Sequence, residues 1–204
     1  MNIIKSNLKW NGTLVPLNLE KVIFLIIHHI DAKVATPEQI HQWHLEKGWK
    51  GAAYNEYIRK DGTVVILRGD YIGGHTANMN SKSYGIAVEG NYETEKEMPA
   101  AQYNALVERV KYHQSRFKNL VEIAPHKKFT PTSCPGKYFP FEKMMNSLQK
   151  QNQQQEFYIA IEVLQRNGII NSPDYWRENA LIGESVKGEY AAMLILKMAE
   201  KLRG

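Results

Sequence analysis

Hydrophobic positions change their period along this chain, and each change marks an element. An unbroken apolar run from Val22 to Ile27, ending at His28 and His29, predicts a buried strand that delivers His28 at its C-terminal edge. Thr36, Pro37, Glu38 and Gln39 predict a helix start: Thr36 is the N-cap, proline takes the first helical position and Gln39 closes a capping box. That helix runs to about Lys47 and stops at Gly48. Tyr54 to Arg59 and Thr63 to Leu67 flank Asp61-Gly62, a pair suited to a tight two-residue hairpin turn. Tyr84 to Glu89 predicts another strand, Pro99 to about Phe117 a long helix with Leu106, Val110 and Phe117 at helical spacing, and Val121 to Ala124 a short strand. Strands interleaved with helices predict an α/β fold: a central mixed β-sheet flanked by helices.

The pattern changes after Met144. Gln149 to Gln155 is polar and glutamine-rich, without core-forming residues, and reads as a helix extension or a linker. Beyond it, Phe157 to Leu164 stops at Asn167-Gly168, and Glu189 to Leu202 repeats an amphipathic pattern. The expected organisation is a main domain over 1–147, a linker over 148–156 and a small helical C-terminal appendage over 157–204. A unit that small is marginal alone, so it is expected to dock on something or to pair two chains as a homodimer through its helices.

Composition narrows the class. With 43% hydrophobic and 23% charged residues, the chain of 204 residues can bury a core. Nowhere do eighteen apolar residues run together, which argues against a membrane span, and the start, Met1 to Trp10, lacks an apolar stretch of signal-peptide length, which implies synthesis in the cytoplasm. The net charge of +5 favours polyanionic partners, among them nucleic acid and a teichoic-acid-bearing cell wall. No arginine-rich run or nucleic-acid motif supports the first.

The chemistry centres on the single cysteine. Cys134 follows His126 by eight residues across a segment holding Pro131 and Pro135, which cannot be continuous helix and is therefore a loop able to curl both donors together. His28 and His29 point to opposite faces of their strand, so only one can enter a given site. Two imidazoles and a thiolate leave a fourth position open on a tetrahedral zinc, as a hydrolytic zinc requires. Taken alone, the His126 and Cys134 spacing is weakly specific and reads more readily as a surface histidine and a buried thiol than as a metal site. His41 and His44, three apart on the first helix, read as structural, and Trp43, Leu45 and Trp49 as packing residues.

In order along the chain stand Ile27-His28-His29; Ile40, His41 and His44 followed by Gly48-Trp49; Ala53-Tyr54-Asn55; Arg59 to Thr63; Gly74-His75; Tyr84 to Val88; and Pro131 to Gly136. This series resembles the type 2 N-acetylmuramoyl-L-alanine amidases, a family that includes phage endolysins and peptidoglycan recognition proteins, over roughly residues 20–147. The resemblance implies zinc held by His28, His126 and Cys134, with His29 left to support or pack. It implies catalytic roles for Tyr54, which can orient water or shuttle a proton, and Thr132, whose hydroxyl can donate to a developing oxyanion. It places His75 and Asn80 on a loop facing the muropeptide, where a plain solvent-exposed loop is the alternative.

Two departures stand out. Ala87 occupies a position where some relatives carry a carboxylate, and Asn55-Glu56 replaces the more usual His-Phe or Asn-Phe after the tyrosine. The function implied is a zinc-dependent amidase cleaving the bond between N-acetylmuramic acid and L-alanine of peptidoglycan, in the manner of a phage or prophage endolysin that reaches the bacterial cell wall after release, its C-terminal appendage targeting the cell wall or pairing two chains. The rivals are a cysteine endopeptidase using Cys134 as nucleophile, and a non-catalytic peptidoglycan-binding protein.

Overall fold

The apolar run after Lys21 becomes the centre of a six-stranded sheet. In the computed structural model, which describes residues 1–181 and 183–203, the chain divides into two units, 1–144 and 145–204. The strands of the first are β1 (Ile3–Lys5), β2 (Phe24–His29), β3 (Glu56–Ile58), β4 (Val64–Ile66), β5 (Ser83–Val88) and β6 (Glu122–Pro125). Their order is β1-β4-β3-β5-β2-β6, and every neighbouring pair is parallel except β3 with β4. This is the mixed sheet expected. β5 is buried along its whole length and β2 nearly so, which is why both read as continuous apolar or small-residue runs rather than alternating ones.

Helices cover both faces. Helix α1 (Pro37–Glu46) has the full capping box, with Thr36 Oγ1 accepting from the Gln39 backbone and Gln39 Oε1 accepting from the Thr36 N–H. It drives Ile40 into a cluster with Tyr57, Val65 and Ala87. Helix α2 (Ala100–Arg116) takes the other face, where Glu56, one residue from Tyr57 and so pointing the opposite way, receives Arg109 and His113. Trp43, expected to pack, is exposed instead: α1 turns Ile40, His41 and His44 inward, and Trp43 falls on the outer side of the same turn, while Trp49, though partly exposed, packs its ring 4.9 Å from that of His44.

The hairpin differs in one detail. Arg59 N–H bonds the Thr63 carbonyl, so the loop is the three residues Lys60, Asp61 and Gly62 rather than two. Gly62 sits at φ +84°, the left-handed closing position of such a loop, and Asp61 Oδ1 accepts from Thr63 N–H at 2.8 Å. β1 was not foreseen, since three exposed residues at a sheet edge leave no burial pattern to read.

Of the two readings of Gln149 to Gln155, the structure has helix: α3 runs unbroken from Phe141 to Arg166. In the second unit it ends before Asn167-Gly168, and α4 (Pro173–Asn179) and α5 (Gly188–Arg203) follow. Tyr175 of α4 meets Tyr190 of α5 with ring centroids 4.7 Å apart. Among the described residues no helix is long and apolar enough to cross a membrane.

Candidate metal centre

Parallel pairing of β2 with β6 sets Ile27 opposite Pro125, so His28 and His126, each next in its chain, emerge side by side at the C-terminal ends of adjacent strands. Their rings lie 4.4 Å apart. A short turn over His126–Lys128 then reverses the chain, and the Lys127 N–H donates to the Cys134 carbonyl at 2.9 Å. That bond closes the proline-containing loop and returns Cys134 to the histidines. One donor atom from each of His28, His126 and Cys134 lies within 4.8 Å of the other two.

The spacing suits a shared ion. Bonds of about 2.1 Å to nitrogen and about 2.3 Å to sulfur in a tetrahedron separate the two ligand atoms by roughly 3.6 Å; Cys134 Sγ stands 3.8 Å from His28 Nδ1. Burial holds the His28 imidazole well below its usual range, and neighbouring His75, His126 and His29 add to the effect. Burial also lowers His126. Both rings are therefore neutral and offer lone pairs. The Cys134 thiol is pushed up to about 12 by burial, so it keeps its proton until a cation displaces it. Such a donor set is chemically that of a zinc site.

Tyr54 reaches this cluster because two histidines hold the segment before it. Ala52 N–H donates to His41 Nδ1 at 3.1 Å and Ala53 N–H to His44 Nδ1 at 3.0 Å, while His41 Nε2 donates to the Lys9 carbonyl. The structural role expected for His41 and His44 is this clamp. It leaves the Tyr54 ring 5.2 Å from that of His28. Desolvation raises the Tyr54 hydroxyl, with Cys134 and Asp31 contributing, so it is a donor at any physiological pH. Asn55 continues the lock: its Nδ2 donates to the Gly69 and Tyr71 carbonyls and its Oδ1 accepts from Gly85 N–H.

Thr132 is exposed in the Cys134 loop, its Oγ1 accepting from Cys134 N–H at 3.3 Å. Asn80 is half-buried and closes its own loop, Oδ1 accepting from Thr76 N–H at 2.9 Å. His75 is not on an open loop surface. It is 6% exposed, with Nδ1 3.0 Å from His28 Nε2. The loop backbone turns outward at Ala77-Asn78, but the histidine before it is drawn under β5. His29 points away from the cluster and accepts from Tyr92 N–H at 3.0 Å. Sequence reasoning missed Thr130, whose hydroxyl lies 3.0 Å from His126 Nε2, and the His28–His75 contact. A glycine inside β5, at Gly85, was the available signal of a close approach.

A mixed sheet flanked by helices, gathering two neutral imidazoles and a thiol at the ends of parallel strands, defines the class as the type 2 amidase fold. Comparison with known proteins agrees. Residues 18–137 match the family model described as N-acetylmuramoyl-L-alanine amidase. The endolysin of Klebsiella phage KP32 is 33% identical over 120 residues, 54% of this chain and 79% of the relative. Among solved structures, the endolysin amidase LysCS from Clostridium intestinale superposes with a TM-score of 0.68 at 31% identity, covering 72% of this chain and 95% of that one. Peptidoglycan recognition protein-LE, solved in complex with tracheal cytotoxin, shares the fold at 22% identity and a TM-score of 0.64, over 70% of this chain and 92% of that one. The chain belongs to the N-acetylmuramoyl-L-alanine amidase family. With that family goes amidase chemistry on peptidoglycan.

Proposed function

We propose that this protein is a zinc-dependent N-acetylmuramoyl-L-alanine amidase that hydrolyses the amide joining the lactyl group of N-acetylmuramic acid to L-alanine of the stem peptide. The observation that carries the reading is the convergence of His28, His126 and Cys134, three donors with one ion's spacing, in a chain of this family. Bound there, zinc supplies a Lewis acid that polarises a carbonyl and acidifies water near neutral pH. The protein's part is to hold and orient. Tyr54, kept protonated, donates a hydrogen bond to the attacking water or to the developing oxyanion. Thr132, exposed beside Cys134, accepts from the Cys134 backbone and keeps its own hydroxyl hydrogen to offer to the oxyanion. Asn80, with its amide Nδ2 outside the Thr76 bond, is the contact to the stem peptide.

The endolysin relatives support a phage or prophage endolysin, made in the cytoplasm and acting on the cell wall after release. Against a cysteine endopeptidase stands the buried thiol, protonated up to about 12. Against a non-catalytic binder stands the complete donor set. The test is mass spectrometry of purified walls digested by the wild type, by chelated and zinc-restored enzyme, and by Cys134→Ala. Stem peptides with a new N-terminal alanine, abolished by chelation and recovered with zinc, are expected. Activity that survives chelation overturns the metal reading, and wall binding without released peptides leaves a binder.

The second unit is proposed to pair two copies of this chain. Helix α5 is apolar on two nearly opposite faces. Tyr190, Met193 and Leu194 line a cavity of about 380 Å³ with Tyr175 and Trp176 of α4, Met193 still 53% exposed, and on the other side Ile195, Leu196 and Leu202 are 66%, 58% and 86% exposed. Glu189, Leu196 and Arg203 stand seven residues apart on one stripe of the helix, so a second α5 running antiparallel brings opposite charges together at both ends. Light scattering of the full chain is expected to give a dimer that Leu196→Asp dissociates. A monomeric wild type, or wall binding lost with that variant in a monomer, assigns this face to another partner.

A further inference from the structure

We infer that His75 is a positioning residue that fixes His28 in the tautomer carrying its proton on Nε2, leaving the Nδ1 lone pair bare toward Cys134. Ser83 has a single hydroxyl hydrogen, and it is donated to the Met79 carbonyl at 2.8 Å. Toward His75 Nε2, 3.5 Å away, the Ser83 oxygen is therefore an acceptor only, so Nε2 of His75 bears its ring proton. His75 Nδ1 is then an acceptor, and two groups surround it: Thr76 Oγ1 at 3.0 Å and His28 Nε2 at 3.0 Å. That nitrogen has one lone pair; it is assigned to His28 Nε2, which meets no other acceptor among the described residues, rather than to the rotatable Thr76 hydroxyl, so His28 donates from Nε2. Its other nitrogen, Nδ1, faces Cys134 Sγ.

The backbone is shaped to allow this. A Cβ on Gly85 would stand 2.5 Å from His75 Cγ and 2.8 Å from His75 Nδ1. One on Gly73 would stand 2.4 Å from His75 Cδ2. The ring thus occupies the volume two missing side chains leave, with the T-shaped contact to His28 at 5.0 Å between centroids. A histidine that offers one nitrogen to a metal needs its other N–H held by an acceptor, or it samples the wrong tautomer and the wrong ring angle. Here a second histidine is the acceptor, and its own tautomer is set by Ser83.

The consequence for metal affinity rests on the zinc reading above; the tautomer itself does not. Three variants of the full chain separate the possibilities. His75→Leu removes the acceptor, His75→Asn keeps an oxygen near the place of Nδ1 at similar volume, and Ser83→Ala frees the His75 tautomer. In metal-free wild type, ¹⁵N NMR is expected to find His28 Nε2 protonated and Nδ1 bare, a preference kept in His75→Asn and lost in His75→Leu and Ser83→Ala. Zinc affinity, measured by competition with a chelator, is expected to fall about 10- to 100-fold in His75→Leu and to stay near wild type in His75→Asn. A protonated His28 Nδ1 in wild type overturns the inference. Equal zinc affinity in His75→Leu and wild type, or equal losses in the Asn and Leu variants, does so too. Should His75→Leu fail to fold, Ser83→Ala and His75→Asn carry both measurements. A wild type that takes up no zinc refutes the metal reading alone, and the metal-free spectrum still decides the role of His75.

Discussion

Glu56→Gln is the sharpest test of how the sheet is held to α2. Glu56 is buried on β3, where Arg109 Nε donates to its Oε2 at 2.8 Å and His113 Nε2 to its Oε1 at 2.9 Å, and Tyr84 adds a hydroxyl at 3.0 Å. Burial by itself would raise this carboxyl, but the hydrogen bonds from His113 and Arg109 overturn it and leave it at about 2. Burial lowers His113, and its unpaired Nδ1 fits a neutral ring that carries its proton on Nε2. Glu56 is therefore held by a neutral donor, His113, and by a cation, Arg109. A carboxyl moved from 4.5 to about 2 contributes about 3 kcal/mol at neutral pH. Removing one partner of a buried ion pair costs about 3 to 5 kcal/mol, a consistent figure.

The sign follows from the depressed value. The contribution is complete above the unfolded carboxyl's pKa of 4.5 and is lost as pH falls from there through about 2. Glu56→Gln keeps the shape, deletes the charge and leaves Arg109 buried against a neutral amide. Urea unfolding at pH 7 should therefore place the variant about 3 kcal/mol below wild type. At pH 3.5 the gap should narrow by about 1.4 kcal/mol, because the unfolded wild type has by then bound most of a proton that the folded protein refuses. A loss under about 1 kcal/mol at pH 7, or the same gap at both pH values, refutes the assignment.

Tyr54→Phe should leave zinc content unchanged and lower kcat by about 10²- to 10³-fold, read from release of stem peptides; unchanged kcat makes the ring a packing element only. Gly85→Ala should destabilise the first unit by about 1 to 3 kcal/mol in thermal unfolding, because its Cβ meets the ring stem of His75 rather than a flexible tip. Burial, with smaller effects from Lys47, Arg68 and His41, depresses His44 from 6.5 to about 4, so the unfolded chain binds the extra proton and stability falls as pH drops through that window. Replacing His44 with Gln should remove about 3 kcal/mol of that fall between pH 7 and pH 4, and a variant with the wild-type slope would show that His44 is protonated in the fold.

Legibility in the sequence followed the range of the interaction. The α1 start was readable to the residue, since Thr36 and Gln39 satisfy each other's backbone within four positions. The burial of β2 and β5 was readable because a parallel strand covered on both faces needs apolar or small residues throughout. Asn55 and Glu56 read only as departures from the family pattern. In the structure Asn55 ties three backbone segments and Glu56 anchors α2, partners that lie up to 57 positions away. His75 carried a loop signature in Gly73-Gly74 that described the backbone correctly and misplaced the side chain.

By itself, then, the sequence determined the central strands and the long helices of the first unit, the α/β class and the donor types, because periodicity, caps and side-chain chemistry are local properties; the edge strand β1 and the short helix α4 carried no such pattern. Only the tertiary structure decided which histidine faces which partner. The parallel register of β2 against β6 sets His28 beside His126, and the Lys127-to-Cys134 bond folds the thiol back onto them. Those placements arise from pairings across about half the chain, whose cost in chain entropy is recovered only when the whole sheet is assembled.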